Sequence, residues 1–513
     1  NLSFFLFSIS ERVMLVAAVV LFFVITSAFL SYFDVGLSFL SPHETLNHTF
    51  TQEAYWKEKL DYLRQGNILL PQALDSVHKD GVVIISVVDN DFLEMTFNFW
   101  ETSILRNSIT NILFISSFMG TCESLRNRNI PCFVYNRNNR TPTSLSSEAK
   151  HKSTLVSRTT IIYQALMFNY TVLVTDVDAY YFKNPLKYLN KASYDIETLS
   201  DGANDAMYAN GGFILLRPTK MTLKIMQTKL LNTYLKSEMN DHASFNEAVN
   251  THKQRVKISY LDQEKFASGY KYFENDGRHF AASVPHCTEC VVVHNNYLQS
   301  VAGKIYRLKE NLMWMIDSDR YYSDPNRKYI TYDNPLPFTT RDKTRMLEQN
   351  ALINALAISR ILNRTLILPR FNCPFIKCSF MSKYNVQSFD SVFRGTYREH
   401  SFLSHPKVPP KIKTDVTRPY IILSSLSKLT KKGLKKDIKL LVPTTQGGST
   451  AKHLSPKGAT EFDIRSWFSK SKASVIRFGC LYKAFRGFSD KREDEIWKKT
   501  IAKGLVPSLY RQY

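Results

Sequence analysis

Asp176 and Asp178 stand two residues apart at the end of the run Val172-Leu-Val-Thr-Asp-Val-Asp178. A continuous apolar, β-branched run of this kind reads as a strand buried on both faces. Its two carboxylates therefore leave the sheet at the carboxyl end, where open α/β sheets take their ligands. Carboxylate oxygens hold a hard divalent cation whose remaining positions go to water and substrate phosphates. A cation so placed neutralises a nucleotide diphosphate as it departs from a sugar. Capping of a following helix is the bland role for such a pair, but packing gives little reason for two acids at one strand end. Phosphoryl transfer through an aspartyl nucleophile uses D-x-D-x-[TV] on the first strand of its domain. Here Tyr180 occupies the fifth position and the motif lies deep in the chain, which discounts that chemistry.

The elements that must position these acids can be read upstream. Val82-Val-Ile-Ile-Ser-Val-Val88, Ile112-Leu-Phe-Ile115 and Cys132-Phe-Val-Tyr135 are further buried strands. Amphipathic helices are expected over 92–105 and 153–168. Strands alternating with helices predict an α/β domain with a mostly parallel sheet. Asp89 and Asn90, at the end of the first strand, are candidates for contact with a nucleotide base or ribose.

Four segments together carry a family resemblance. VLVTDVDAYYFKNPLKYL (172–189) is similar to the core of the nucleotide-diphospho-sugar transferases grouped as glycosyltransferase family 77, which includes plant arabinosyl- and xylosyltransferases. DAMYANGGFILLRP (205–218) resembles the family's Asn-x-Gly-Phe segment, in which the backbone approaches the sugar. Asn240-Asp-His-Ala-Ser-Phe-Asn246 resembles its Asp-Gln-x-x-Phe-Asn helix. His294-Asn-Asn-Tyr through Lys304, with Arg307 to Glu310 and Met313-Trp314, resembles its closing segment. The four match in order and spacing across about residues 82–316.

The resemblance implies a GT-A-like fold and retaining transfer from a nucleotide-diphosphate sugar, with a Mn²⁺ (or Mg²⁺) requirement. Carried over residue by residue, it makes Asp176, Asp178 and His294 the metal ligands. A mixed imidazole and carboxylate set suits Mn²⁺ slightly better than Mg²⁺. Lys304 would reach the diphosphate, and Arg158, on the helix before the D-x-D strand, would stabilise charge on the leaving group. Gly211 and Gly212 would let the backbone approach the sugar, with Asn210, Asp241 and His242 as the catalytic candidates. One position departs from the pattern: His242 stands where family members commonly carry Gln, which bears on the donor sugar. No buried nucleophile is evident, so the resemblance favours front-face attack by the acceptor hydroxyl.

Charge and hydropathy divide the rest of the chain. The 513 residues carry 67 Lys+Arg against 45 Asp+Glu, a net charge of +22. Residues 341–513 hold 34 of the basic and 12 of the acidic residues, so residues 1–340 are neutral overall. Such a basic half steers acidic partners, but no basic and aromatic nucleic-acid module appears in it, so no nucleic-acid partner is expected. Met346 to Pro369 is similar to a helix-strand unit of plant arabinosyltransferase C-terminal domains and to the opening of O-fucosyltransferase-like domains. In the latter an Arg before the helix contacts a nucleotide sugar, and Arg341 and Arg345 are the comparable positions.

Val13 to Leu30 is uncharged over 18 residues, about the minimum for a helix crossing a hydrocarbon core ~30 Å thick. It is longer than the apolar core of a cleaved signal peptide. Arg12 before it, with no Lys or Arg until Lys57, puts the N-terminus on the cytosolic side. The N-x-[ST] triplets at Asn47, Asn139, Asn169 and Asn363 fit a lumenal body; glycans on the last two would be crowded by the strands that follow. Cysteine proximity suggests pairs 122–132, 287–290 and 373–378, with Cys480 left over. His286, Cys287, Cys290 and His294 can also be drawn as a zinc site, though a disulfide is the simpler account in a lumenal protein.

The expected organisation is a cytosolic tail (1–12), a transmembrane signal anchor (13–30) and a lumenal stem (31–80). A GT-A-like α/β domain (81–335) and a basic C-terminal α/β domain (336–513) follow. The expected function is a retaining, metal-dependent glycosyltransferase of the Golgi or endoplasmic-reticulum membrane. Its partners would be a nucleotide-sugar donor and a glycan or glycoprotein acceptor. The alternative is a catalytically weak lumenal glycan-binding protein on the same fold.

Overall fold

In the computed structural model the first apolar runs form β1 (Val82–Val87), β2 (Ile112–Ser116), β3 (Cys132–Val134) and β4 (Thr171–Thr175). The structure describes residues 56, 59, 61–64, 68–135, 147–189, 192–201, 208–235, 240–275, 289–298, 300–334, 342–373, 376–423, 452–454 and 458–508. These four strands are parallel to one another. The sheet continues through β7 (Ala209–Leu216), β6 (Ile196–Ser200) and β8 (Ile258–Tyr260), in the order β3-β2-β1-β4-β7-β6-β8. β7 runs antiparallel to both of its neighbours, while β6 and β8 are parallel. The sheet is thus mostly parallel as expected, with one reversed strand beside β4. Every residue of β7 is buried, and an apolar run covered on both faces reads the same in either direction.

Helices α1 (Leu70–Val77), α2 (Leu93–Phe99), α3 (Met119–Arg126), α4 (Ser147–Met167), α5 (Lys220–Leu235), α6 (Asp241–Thr251) and α7 (Val301–Glu310) accompany this sheet. The first of them corrects the expected stem, which was drawn through to residue 80. Leu70, Ala73, Leu74 and Val77 are buried on one face of α1, the i, i+3, i+4, i+7 spacing of a helix laid on a core.

A second, three-stranded sheet, in the order β5-β10-β9, crosses the carboxyl end of the first. Its strands are β5 (Ala179–Tyr181), β9 (Phe266–Ser268) and β10 (Val292–His294). β5 follows the D-x-D directly, so this small sheet ties the acids to the distant segment that ends in His294.

The basic part of the chain builds a six-stranded, wholly parallel sheet. It begins at β11 (Tyr329–Tyr332), ahead of the boundary expected at 335, and the long helix α8 (Asp342–Leu362) follows it. Tyr306 of α7 is buried in the same apolar cluster as Ile330, Leu356, Phe380 and Phe478. Residues 59–513 accordingly form one compact unit.

Cys122 and Cys132 are disulfide-bonded as expected, and Cys290 and Cys378 are also in disulfides. An oxidised Cys290 is no zinc ligand, which removes that reading. Asn169 and Asn363 are exposed at left-handed turns between a helix and a strand (φ 66° and 49°). Among the described residues no helix is long and apolar enough to cross a membrane. The segments 1–12 and 13–30, the stem up to residue 55, Asn47, Asn139, His286, Cys287 and the lysine-rich run 428–439 lie outside the described residues. So do the side chains of Arg341 and Arg345.

Candidate active site

Backbone pairing brings the candidate ligands together. β4 ends at Thr175, opposite Phe213 of β7, and the Asp176 N–H donates to the Gly212 carbonyl at 2.8 Å. Three residues on, Ala179 opens β5 opposite His294 of β10, and the Asn295 N–H donates to the Asp178 carbonyl at 3.1 Å. The two carboxylates and the imidazole are thereby fixed by two ladders rather than by a loop. His294 Nε2 lies 3.1 Å from Asp178 Oδ1 and 3.6 Å from Asp176 Oδ2. One ligand atom from each of the three residues falls within 4.8 Å of the others.

Three basic side chains surround the acids. Lys304 Nζ of α7 lies 2.7 Å from Asp178 Oδ2, and Arg158 of α4 lies 2.9 Å from Asp176 Oδ1. Arg158 also donates to the Gly211 carbonyl at 2.7 Å and stands 3.9 Å from Asp241. Lys229 of α5, itself buried, lies 2.6 Å from the other oxygen of Asp241. Burial opposes ionisation of Asp176 and Asp178, yet Arg158, Lys304 and His294 outweigh it and hold both far below the usual carboxylate range. Burial likewise opposes charge on His294, but the two aspartates push its pKa up to about 10. Asp241 is lowered in the same way, its burial overcome by Lys229 and Arg158.

The set fits a divalent cation. Two carboxylates held ionised and one imidazole converge from elements that packing has already fixed, and their charge is balanced by a lysine, an arginine and a removable imidazole proton. Oxygen and nitrogen donors without thiolate are those a Mn²⁺ or Mg²⁺ ion takes.

Gly211 and Gly212 make room on either side of β7. A Cβ on Gly212 would stand 2.3 Å from His294 Cε1 and 2.5 Å from Asp176 Oδ2. One on Gly211 would meet His242 Cδ2 at 2.9 Å and Asp241 Oδ2 at 3.1 Å. The bare backbone thus runs as a strip between the metal cluster and the Asp241–His242 pair, and the missing side chains let both sets of groups close onto it.

Asn210 has another use than the one expected. It is fully buried, its Oδ1 accepts from the Gly212 N–H at 2.8 Å, and its Nδ2 donates to Asp201 at 2.8 Å. Both ends of the amide shape the strip, so Asn210 holds the site rather than acting in it. Asp89 and Asn90 lie beyond β1, the parallel neighbour of β4, at the same carboxyl edge. Asp89 Oδ1 accepts from the Asp91 N–H at 3.1 Å.

Two residues of the site are invisible in a reading of the sequence. Lys229 sits mid-helix like any surface lysine, and only the packing of α5 against α6 buries it on Asp241. Asp201, just past β6, takes His242 Nδ1 on one oxygen at 2.9 Å. Its other oxygen takes the amides of Asn210 at 2.8 Å and Asn296 at 2.5 Å. Its partners are 9, 41 and 95 residues away in sequence. The one available signal is an acid at the carboxyl end of a strand.

Residues 107–308 match the model of a family described as Nucleotide-diphospho-sugar transferase. Arabinosyltransferase XEG113 of Arabidopsis thaliana is 23% identical over 498 residues, spanning 82% of this chain and 73% of its own length. UDP-D-xylose:L-fucose alpha-1,3-D-xylosyltransferase MGP4 of the same plant is 25% identical over 279 residues, 48% of this chain and 74% of its own. Among solved structures, the glycosyltransferase GlyE of Streptococcus pneumoniae TIGR4 aligns over 82% of this chain and 97% of its own. The identity is 10% and the TM-score 0.29, too low for the alignment to bear on the fold.

Proposed function

The chain belongs to the nucleotide-diphospho-sugar transferase family through residues 107–308, and from that premise we propose that it is a retaining, Mn²⁺-dependent pentosyl- or hexosyltransferase of the secretory pathway. It is a glycosyltransferase, distantly related to plant arabinosyl- and xylosyltransferases, and it takes its sugar from a nucleotide-sugar donor. The observation that carries the finer reading is the convergence of Asp176, Asp178 and His294 beside the bare strip at Gly211–Gly212.

A cation held by those three ligands would neutralise the departing diphosphate. The protein's own residues do the rest. Lys304 and Arg158, both within reach of the ligand carboxylates, supply positive charge where the leaving group develops its negative charge. The strip over Gly211 and Gly212 lets the sugar lie against the backbone, with Asp241 and His242 at its side. Asp241 is pinned between Lys229 and Arg158, so its lone pairs are engaged and it makes a poor nucleophile. That favours attack by the acceptor hydroxyl on the face the diphosphate leaves, with retention at the anomeric carbon.

The Cys122–Cys132 disulfide supports an oxidising compartment. The exposed sequons at Asn169 and Asn363 and the apolar run 13–30 fit a lumenal body on a single-pass anchor of the Golgi or endoplasmic reticulum. The acceptor is a glycan or glycoprotein hydroxyl.

The test is transfer and hydrolysis by the protein with a panel of UDP- and GDP-sugars, in Mn²⁺ or EDTA, beside the Asp176→Ala/Asp178→Ala variant. Turnover of one donor, abolished by EDTA and in the variant, is expected. Folded protein that neither turns over any donor nor binds nucleotide in the presence of metal would overturn the reading.

A further inference from the structure

Asp201 belongs to none of the groups considered so far as ligand, charge clamp or backbone strip, yet it is the hub of the far side of the site. Its own N–H donates to the Tyr208 carbonyl at 2.8 Å, and the Tyr297 hydroxyl donates to its carbonyl oxygen. One carboxylate oxygen is filled by two amides, from Asn210 and Asn296. The other faces His242 Nδ1 at 2.9 Å.

The helix that carries His242 is pinned as well. Asn246, one turn on, makes a two-way pair with the backbone of Ala209 on β7, both bonds at 2.8 Å, and its amide also donates to the His242 carbonyl at 2.9 Å. The imidazole has little freedom to turn away from Asp201. Its Cδ2–Nε2 edge lies along Gly211, beside the Asp241 carboxylate. Nε2 has no hydrogen-bond partner among the described residues, and the side chain keeps 32% of its surface exposed.

A carboxylate can only accept, so the hydrogen bond at Nδ1 fixes the proton there. The neutral ring then offers a lone pair, and no hydrogen, at Nε2. We infer that Asp201 is a positioning residue that sets His242 as a dedicated hydrogen-bond acceptor for a hydroxyl of the transferred sugar, and that this pair is a determinant of donor specificity. This rests on the reading of the strip as a nucleotide-sugar site. The chemistry is selective. A side-chain amide at this position, the family's common residue, both donates and accepts. An imidazole tied to Asp201 accepts only, so it rewards a sugar with a free hydroxyl at that point and gives nothing to a deoxy or O-substituted one. A buried or crowded polar group left unmatched discriminates more sharply than a lost apolar contact.

Asp201→Asn reverses one hydrogen bond and little else. The amide oxygen keeps accepting from Asn210 and Asn296, while its NH₂ faces Nδ1 and drives the proton to Nε2, turning the acceptor into a donor. Selective ¹⁵N-histidine NMR reads this directly. The wild-type His242 signal is expected as the Nδ1–H tautomer and the Asp201→Asn signal as the Nε2–H tautomer. A wild-type Nε2–H tautomer would overturn the proposal, and that measurement needs no variant to fold.

Binding isolates the sugar. Affinities for UDP are compared with those for a set of UDP-pentoses and UDP-hexoses, all with Mn²⁺. Asp201→Asn and His242→Ala are expected to leave UDP itself unchanged and to lose, by about tenfold, the increment that the preferred sugar adds over UDP. Their combination should lose no more than either alone. Loss in His242→Ala with none in Asp201→Asn, or fully additive losses, would overturn the proposal. Failure of the wild type to bind UDP would instead sink the transferase reading, leaving the tautomer measurement to decide the Asp201–His242 pair.

Discussion

Lys304 Nζ and Asp178 Oδ2 stand 2.7 Å apart, a contact between the last helix of the transferase fold and the second acid of the D-x-D. Burial works against the charge of Lys304, but Asp178 outweighs it and raises the pKa above the usual lysine range. The lysine is therefore a fixed charge at every working pH. It occupies an oxygen that a divalent cation would claim, and released from it, lies within reach of a diphosphate.

Removing that charge should separate two affinities. Lys304→Met deletes a competitor for Asp178, so Mn²⁺ alone should bind as well as in the wild type or better. The same change removes one charge-assisted hydrogen bond to the diphosphate, worth about 1.5–3 kcal/mol, so UDP should bind at least about tenfold more weakly. Titrating Mn²⁺ and then UDP by calorimetry checks both. Parallel loss of both affinities would place Lys304 in the support of the metal ligands instead.

The two neighbouring glycines should fail in different ways. At Gly212 a methyl group meets His294 at 2.3 Å and Asp176 at 2.5 Å, and neither side chain can yield without leaving the cluster. Gly212→Ala is expected to weaken Mn²⁺ binding by about 100-fold, in the upper range for disturbing the support of a metal site. At Gly211 the nearest atom, 2.9 Å away, belongs to the partly exposed ring of His242. Gly211→Ala should keep its metal and lose turnover. Manganese electron paramagnetic resonance beside a turnover assay distinguishes the two patterns.

Lys309, five residues beyond Lys304, gives the fold a pH dependence. Burial lowers its pKa to about 8, against a partial offset from Glu399 and reinforced by Arg398. Its ammonium lies 3.5 Å from the centroid of the Tyr321 ring. In the unfolded chain the same lysine keeps its proton to about 10.4. Between those values the unfolded state binds more protons at this lysine, so its contribution to stability rises with pH. The gain is complete near the unfolded pKa and amounts at most to about 3 kcal/mol. His294, raised to about 10 beside the two aspartates, loses stability over the same window, so the Lys309 contribution is read as the difference between the wild type and Lys309→Met. In urea unfolding that difference should shift in favour of the wild type between pH 7.5 and 9.5, and a difference that does not change with pH would refute the assignment.

The sequence makes some of this site plain and hides the rest for physical reasons. The D-x-D is legible because the period of a strand and the run of buried residues before it place both acids at one sheet edge. His294 is legible only through a family pattern, since its meeting with Asp178 depends on β10 pairing with β5 across 116 residues. Lys229 carries no local signal at all, and Asp201 only that of an acid at the carboxyl end of a strand. Their roles come from helix α6 packing against both α5 and β7. The reversed direction of β7 is hidden for a related reason: NGGFILL is buried on both faces, and burial has no direction. By contrast the helix Leu70–Val77 is written plainly in its spacing, beneath a composition that reads as a linker.

Where the transferase unit ends is the last question the geometry answers. α7 presents Lys304 to the metal acids near its start and, two turns later, Glu310 to the part of the chain that builds the six-stranded sheet. Glu310 takes His400 Nδ1 at 2.9 Å on one oxygen and the Ser379 hydroxyl on the other. Tyr306 between them is buried in the second core, and His405 Nε2 donates to the Trp314 carbonyl at 2.9 Å. Among the described residues β11, inside the expected first domain, pairs only with strands of the six-stranded sheet. A chain cut after residue 335 would expose Tyr306, take His400 and Ser379 from Glu310 and leave β11 unpaired. It is expected to show no cooperative thermal transition and no Mn²⁺-dependent UDP binding, where residues 59–513 show both. Glu310→Ala, a milder cut of the same link, should cost about 1–3 kcal/mol for the buried groups it strands and weaken UDP binding through Lys304. If residues 59–335 instead fold cooperatively and bind UDP at full strength, the six-stranded sheet contributes nothing to the site, and its basic surface serves another partner.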